Sequence, residues 1–390
     1  MGDNEISIVQ DFECHMNDLA VAFWATASKR FGEDSILGMR VGLFRRRCEV
    51  NFVTVKVGID EYTKGVLGSF EIRGVRGYFV VGGREGEPLV KATTNKEFEG
   101  EVNDFFTELG NYLKSHSIYK GKALTSQLEF MDLSGASLNE LTYDEEVLND
   151  LREHVWALVE KREFCKFMNI KSQRKILFAG NFGTGKTMAA FITAKIAVEH
   201  GFTFMYMEPS VKSSYSASIN SVLRFARRSQ PAVVLFEDWD REQREGDQFA
   251  VGHIMSAIDG VLSKNSEVII ILTTNNPGKI TAGMLRPGRI DKVINFNKFE
   301  KVDIICLLKK AIPGTMLHPD IDWDEVAKHC ADYSPAFVDE VGISSKLKAI
   351  RLAGDEGLPM VTHEILISAA KSLEIRSKKC QEALGFGPNS

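Results

Sequence analysis

Residues 180–187 read Gly180-Asn181-Phe182-Gly183-Thr184-Gly185-Lys186-Thr187, a G-x-x-x-x-G-K-T segment. It follows an apolar run from Lys175 to Ala179 and opens a helix-like stretch from Thr187 to Glu199. Strand, glycine-rich loop and helix in that order point to nucleotide chemistry. Gly180, Gly183 and Gly185 let the backbone take positive φ and come close to a polyphosphate, so that amide hydrogens aim at anionic oxygens beside a positive helix end. Lys186 is expected between the β- and γ-phosphates, and Thr187 offers Mg²⁺ a hard oxygen. Asn181, Phe182, Thr184 and Met188 complete the set expected around the nucleotide.

Downstream, the apolar run Val233 to Phe236 ends in Glu237 and Asp238, two carboxylates at a strand tip, where ligands bind in open α/β sheets. One is expected to hold Mg²⁺ beside Thr187, and the other to orient and deprotonate the attacking water. Neighbours in a strand face opposite sides, so the pair can share this work only where the strand is ending. Asp240 is a candidate supporting carboxylate. The next run, VIIILTTNN, ends at Asn275, which could bond both the γ-phosphate and the nucleophilic water. Arg286 and Arg289 lie three apart in LRPGRID, and a guanidinium fork suits the equatorial oxygens of a γ-phosphate, in cis or across a subunit boundary.

From Lys175 onward, near-continuous apolar strands alternate with helices through Phe202–Glu208, Ser218–Arg228, Ala232–Glu237 and Val268–Thr273. This pattern predicts an α/β fold with a three-layer parallel sheet covered on both faces. After Phe299 it turns wholly helical, over Val302–Ala311, Trp323–Cys330, Pro335–Leu352 and Thr362–Leu373, as for a small lid. Before the module, Thr142 and Glu145 form a capping box that starts a helix carrying Val147, Leu151, Val155 and Leu158. The first segment is read as an α+β domain. It has a helical stripe from Ile8 through Phe12, Met16, Leu19, Phe23 and Ala27 to Gly32, then β-rich runs at Val53–Val57, Ser69–Ile72 and Tyr78–Val81. A second helix with an aromatic face carries Phe98, Val102, Phe105, Leu109 and Tyr112. The stretch Gly82 to Gly86 is read as a turn. The domains are therefore drawn at 1–132, an N-terminal α+β domain; 140–298, the large α/β subdomain; 299–380, the helical lid; and 381–390, a tail.

A net charge of −5 over 390 residues gives no whole-chain basic field for a nucleic-acid backbone. The basic spots Arg45–Arg47 and Arg224, Arg227, Arg228 read as solvated faces. Six scattered cysteines without a C-x-x-C pair or zinc spacing read as reduced thiols. The acidic start lacks a secretory or myristoylation signal, and no apolar run approaches the roughly 20 residues of a spanning helix. The expectation is a cytosolic protein, in the host cytoplasm if the source is viral.

On these motifs, the chain from about Leu141 to Leu373 resembles an AAA ATPase module of the protein-remodelling branch. GNFGTGKT resembles Walker A, VVLFEDWD Walker B, TTN the sensor-1 segment and LRPGRID the arginine-finger stretch. IMSAIDGV, with Asp259 and Gly260, is similar to the intersubunit-signalling helix. YSPAFVDEV is similar to the opening of the lid helix, which brings Ala336 to the nucleotide. The resemblance implies an ATP- and Mg²⁺-dependent homo-oligomer, a ring and by expectation a hexamer, with Arg286 and Arg289 completing a neighbour's site and a protein client as substrate. The order Glu237 then Asp238 inverts the family's usual Asp-Glu and resembles the mitochondrial Rieske-protein translocase group and some bacterial and viral relatives. EPSVKSSYSAS stands where pore loop 1 falls but lacks its aromatic-hydrophobic-Gly triplet, leaving Val211 or Tyr215 as the gripping residue. Pro335 replaces the usual Gly, and no lid arginine resembles sensor 2. A nucleic-acid motor, with Lys212 as the nearby basic candidate, and a slow ATP-gated scaffold are the alternatives.

Overall fold

The computed structural model describes residues 4–41, 46–47, 49–75, 77–84, 87–137, 143, 145–208, 215–239, 249–261, 266–280, 283–286, 288–296, 300–331, 333–353 and 357–383. It divides into two units, Met1–Asp132 and Leu133–Ser390.

In the first unit the order is β1 (Glu5–Asp11), α1 (Met16–Phe31), β2 (Ile36–Gly38), β3 (Arg40–Val41), β4 (Arg46–Arg47), β5 (Phe52–Lys56), β6 (Tyr62–Val66), β7 (Gly68–Ile72), β8 (Gly77–Arg84), β9 (Glu87–Asn95), α2 (Glu99–Ser115) and β10 (Ala123–Thr125). Five strands form an antiparallel sheet in the order β1-β9-β8-β7-β2, while β5 and β6 form a two-stranded sheet. Helices α1 and α2 bury their apolar faces in one core, where Phe23 meets Phe70 and Phe105 edge-on, each with ring centroids 5.2 Å apart. The aromatic face of α2 is therefore core, with Phe105 fully buried. In the first turn of α1, Asp18 is buried and accepts hydrogen bonds from Ser117 Oγ (2.6 Å) and the Ile118 amide (2.9 Å). Burial raises its carboxyl above the usual range.

The fold of this unit departs from two sequence expectations. The helical stripe begins too early: Ile8 lies in β1, paired with Ala92 of β9, and the helix starts only after His15, whose Nδ1 accepts the Asn17 amide at 3.2 Å. Spacings of four residues between Ile8, Phe12 and Met16 fit a helix, but the backbone groups of residues 5–11 are claimed by the edge of β9, a pairing between segments some 85 residues apart that local periodicity does not report. Gly82 and Gly83 belong to β8 rather than to a turn, since the β8–β9 ladder runs on to Arg84 opposite Glu87; Glu85 and Gly86 lie outside the described residues.

The second unit begins with α3 (Glu145–Leu151), continued through one π turn into α4 (Ala157–Glu160) and followed by α5 (Arg162–Phe167). Thr142, the expected cap, lies outside the described residues, as does Asp144. Then follow β11 (Arg174–Ala179), α6 (Lys186–Glu199), β12 (Thr203–Met207), α7 (Tyr215–Arg228), β13 (Ala232–Phe236), α8 (Phe249–Val261), β14 (Val268–Thr274) and β15 (Lys292–Asn295). Within this unit five strands lie parallel in the order β12-β13-β14-β11-β15. Every residue of β13 and β14 is buried, as the near-continuous apolar runs require of a sheet covered on both faces. The register sets Ala179 beside Thr274 and Phe236 beside Leu272, so the ends of β11, β13 and β14 come out together on one edge of the sheet. Sequence reading did not foresee β15, whose four residues are too short for a periodic signal and which pairs beside β11.

The lid comprises α9 (Lys301–Ala311), α10 (Trp323–Cys330), α11 (Pro335–Ala353) and α12 (His363–Ala383). It has its own core around Leu308, Val326, Val338, Val341 and Leu366. Helix α12 runs three residues into the expected tail because its backbone ladder continues past Lys379; residues 384–390 lie outside the described set. Among the described residues, no helix is long and apolar enough to cross a membrane.

Candidate functional site

The loop between β11 and α6 is shaped by its glycines. Gly183 and Gly185 take φ of +72° and +91°, a region that strains any residue with a Cβ. At Gly185 a Cβ would also meet the Tyr143 ring at 2.7 Å. Tyr143 closes over this corner: its hydroxyl donates to the Gly185 carbonyl at 2.5 Å and its ring packs edge-on against Phe296. Burial raises its phenol well above the usual range, so it remains a donor. The first turn-forming bond of α6 runs from the Ala189 amide to the Gly185 carbonyl (2.9 Å), which leaves the amides of Thr187 and Met188 at the helix end for an anion.

Lys186 is buried, and its Nζ donates to the carbonyls of Gly180 (2.7 Å) and Asn181 (2.8 Å). Thr184 is buried too, donating to the Asn181 carbonyl at 2.8 Å; its side chain serves the loop's own shape. Phe182 and Met188 are exposed at the rim. Ala336 reaches the loop from the lid, its amide donating to the Gly183 carbonyl at 3.3 Å.

Glu237 and Asp238 follow β13 directly. The chain turns there: Asp238 has φ of +44°, a left-handed value that Asp tolerates better than most residues. This turn resolves the difficulty of two adjacent carboxylates on one strand. The Glu237 amide donates to Met207 O (3.1 Å), the Asp238 amide to Thr273 Oγ1 (2.9 Å) and the Trp239 amide to Thr273 O (3.2 Å), so the turn is stapled to both flanking strands. The Glu237 carboxylate accepts from the Thr187 hydroxyl on one oxygen and from the Tyr206 hydroxyl on the other. Asp238 accepts from Asn275 Nδ2 at 2.5 Å. The structure thus brings Lys186, Thr187, Glu237, Asp238 and Asn275 to one edge of the sheet. Asp240 lies outside the described residues.

Tyr206 is the residue that sequence reading missed. It sits in β12 with its ring edge-on to Phe191, and burial, then Glu237, pushes its phenol far above the usual range, which keeps the proton on the donor. The available signal was a tyrosine one strand from Walker B in the run TFMYM, too ordinary to single out. We expect Tyr206→Phe to raise the Mg²⁺ concentration for half-maximal turnover about 10-fold, because outer-sphere partners of a metal-binding carboxylate orient it. A Mg²⁺ titration of turnover reads this, and an unchanged midpoint would mean that Glu237 needs no help from the phenol.

The donors suit a nucleoside triphosphate with Mg²⁺. Thr187 Oγ1 and the Glu237 carboxylate are hard oxygens of the kind Mg²⁺ takes, and Lys186 with the α6 amides suits polyphosphate. Held by these oxygens, Mg²⁺ would neutralise charge that develops on the phosphates. Arg286 and Arg289 are exposed on the loop before β15, with Arg289 Nη1 donating to Gly283 O at 3.2 Å. Among the described residues, no hydrogen bond joins either guanidinium to the phosphate loop of the same chain. Val211 and Lys212, with the rest of 209–214, lie outside the described residues; Tyr215 opens α7.

Comparison with known proteins agrees with this geometry. Residues 176–298 match the profile of the ATPase family associated with various cellular activities (AAA). The chain is 30% identical over 253 residues to a cell division cycle protein 48 homolog of Archaeoglobus fulgidus, covering 62% of this chain and 34% of that protein. It is 26% identical over 279 residues to Protein SAV of Sulfolobus acidocaldarius, covering 68% and 34%. To the ATP-dependent zinc metalloprotease FtsH 3 of Sphaerobacter thermophilus it is 27% identical over 224 residues, covering 54% and 45%. The chain therefore spans less than half the length of these relatives. A phosphate loop, two strand-end carboxylates and a polar Asn thus converge on one sheet edge inside the stretch, residues 176–298, that is similar to the AAA ATPase family.

Proposed function

We propose that this protein is an oligomeric AAA motor that uses ATP to remodel, unfold or translocate protein clients. The subunits form a ring, by family likeness a hexamer; the nucleotide lies at the boundary between copies, and the N-terminal unit selects the client or adaptor. The observation that carries this reading is the exposure of Arg286 and Arg289 apart from their own phosphate loop, with the rest of the hydrolytic set gathered elsewhere in the chain. In this site Asp238 is the base toward water, held by Asn275, and Glu237 with Thr187 forms the metal arm. Lys186 and the α6 amides bind the phosphates, and Ala336 links their loop to the lid, so that a change at the γ-phosphate position moves lid against core.

The order Glu237-Asp238 supports a second reading, an ATP-gated scaffold that assembles on nucleotide and hydrolyses it slowly. A carboxylate arm one methylene shorter on the base side shifts its oxygens on the ångström scale, which can cost about 100-fold in rate. Stimulated turnover separates these readings. Unfolded protein is expected to accelerate ATP hydrolysis severalfold, whereas single-stranded DNA is expected to leave it unchanged. Acceleration by DNA alone would favour a nucleic-acid motor, and acceleration by neither the scaffold.

A further inference from the structure

Lys175, the second residue of β11, is buried, with its side chain only 6% exposed. A buried ammonium needs its N–H groups engaged, and this one has two described partners far away in sequence. Nζ donates to Asp259 Oδ1 at 2.6 Å, on helix α8, and to the Gly288 carbonyl at 2.8 Å, between Arg286 and Arg289. The same residue's backbone is tied to the far end of the loop: its amide donates to Asp291 Oδ2 and its carbonyl accepts from the Asp291 amide, both at 2.8 Å. Gly288 has φ of +88°, so its carbonyl is free to turn inward to the ammonium. Two further bonds, Arg289 amide to Arg286 O (3.0 Å) and Ile290 amide to Met284 O (3.1 Å), complete the loop's outline. One side chain thus grips the loop at its middle while its own backbone grips the loop's exit.

We propose that Lys175 is a positioning residue for the Arg286–Arg289 loop: its buried ammonium joins α8 and the Gly288 carbonyl to β11, and so sets where the guanidiniums are offered to the neighbouring copy. The proposal rests on the reading that these arginines act across a subunit boundary. Its consequence runs against position in the chain. Lys175 lies in the strand that feeds its own phosphate loop, yet the site that depends on its ammonium is the next subunit's. Asp259 is the half-exposed end of the same clamp, its side chain 55% exposed.

The test uses the full chain with Lys175→Met, which keeps an unbranched apolar stem and removes the ammonium. Expected are ATP affinity within about 3-fold of the parent and turnover down about 100-fold, the scale of an ångström misplacement. The decisive readout is subunit mixing. Lys175→Met mixed with Asp238→Asn is expected to regain activity, since the Asp238→Asn copy supplies a well-placed finger to the intact site of the Lys175→Met copy. Mixed with Arg289→Ala, it is expected to stay inactive, because both copies are deficient on the finger side. If Lys175→Met does not fold, Asp259→Ala removes the partner from the half-exposed end and must give the same mixing pattern. Rescue of Arg289→Ala but not of Lys175→Met by Asp238→Asn would put the defect in the residue's own site and overturn the proposal alone. Failure of Arg289→Ala itself to be rescued would overturn the shared-interface reading and this proposal with it.

Discussion

Lys186→Ala is expected to weaken ATP binding by about 100-fold or more, since losing roughly 3 kcal/mol of charge-assisted hydrogen bonding to phosphate corresponds to a change of that size. The side chain that would meet the β- and γ-phosphates is the same one that donates to Gly180 O and Asn181 O. The substitution therefore removes both the loop's cation and the tie that curls the loop around it. Two measurements separate these effects. Equilibrium binding of a fluorescent ATP analogue reads the affinity. Thermal unfolding with and without Mg-ATP reads whether the nucleotide still stabilises the fold, because a ligand bound only by the native state adds stability in proportion to the logarithm of its concentration over Kd. The parent is expected to melt higher with ATP and Lys186→Ala to gain far less from the same ATP concentration. Tight ATP binding retained by Lys186→Ala would count against residues 180–187 as the phosphate site.

Arg289→Ala is expected to leave ATP affinity within severalfold of the parent while turnover falls about 1,000-fold, the lower range for loss of an arginine finger. The side chain is exposed and, among the described residues, donates to the Gly283 carbonyl alone, so little of the described fold depends on it. Mixing Arg289→Ala with Asp238→Asn is expected to restore part of the activity, since each mixed boundary with the Asp238→Asn copy as donor pairs an intact finger with an intact base. Co-assembly is checked by mass measurement of the mixture in ATP. If the mixture assembles and no ratio restores turnover, the guanidinium does not act across the boundary.

Both predictions use residues legible in the sequence, and the reason is physical. The phosphate loop works through backbone geometry and a helix end, which a few consecutive residues specify: glycines where φ is positive, a lysine and a threonine opening α6. Glu237, Asp238 and Asn275 were readable because each terminates an apolar run, and parallel strands place their ends on one edge. Less was visible in the first unit. There the edge strand β1 and the long β9 depend on each other across the chain, and spacing misread Ile8 and Phe12 as the start of a helix. Tyr206 was equally hidden, as its bond to Glu237 crosses from β12 to the end of β13, 31 residues away.

Local chain chemistry sufficed for the nucleotide loop, the alternation of strand and helix and the helical character of the lid, because each is written in neighbours within a turn or two. Strand order is not: β11 lies between β14 and β15 although those strands follow it by some 90 to 120 residues. That order brings Tyr206 to Glu237, and Lys175 to Asp259 and Gly288 across 84 and 113 residues. These contacts arise from packing the whole sheet, where burial leaves an ammonium or a phenol stable only beside the partner the fold supplies.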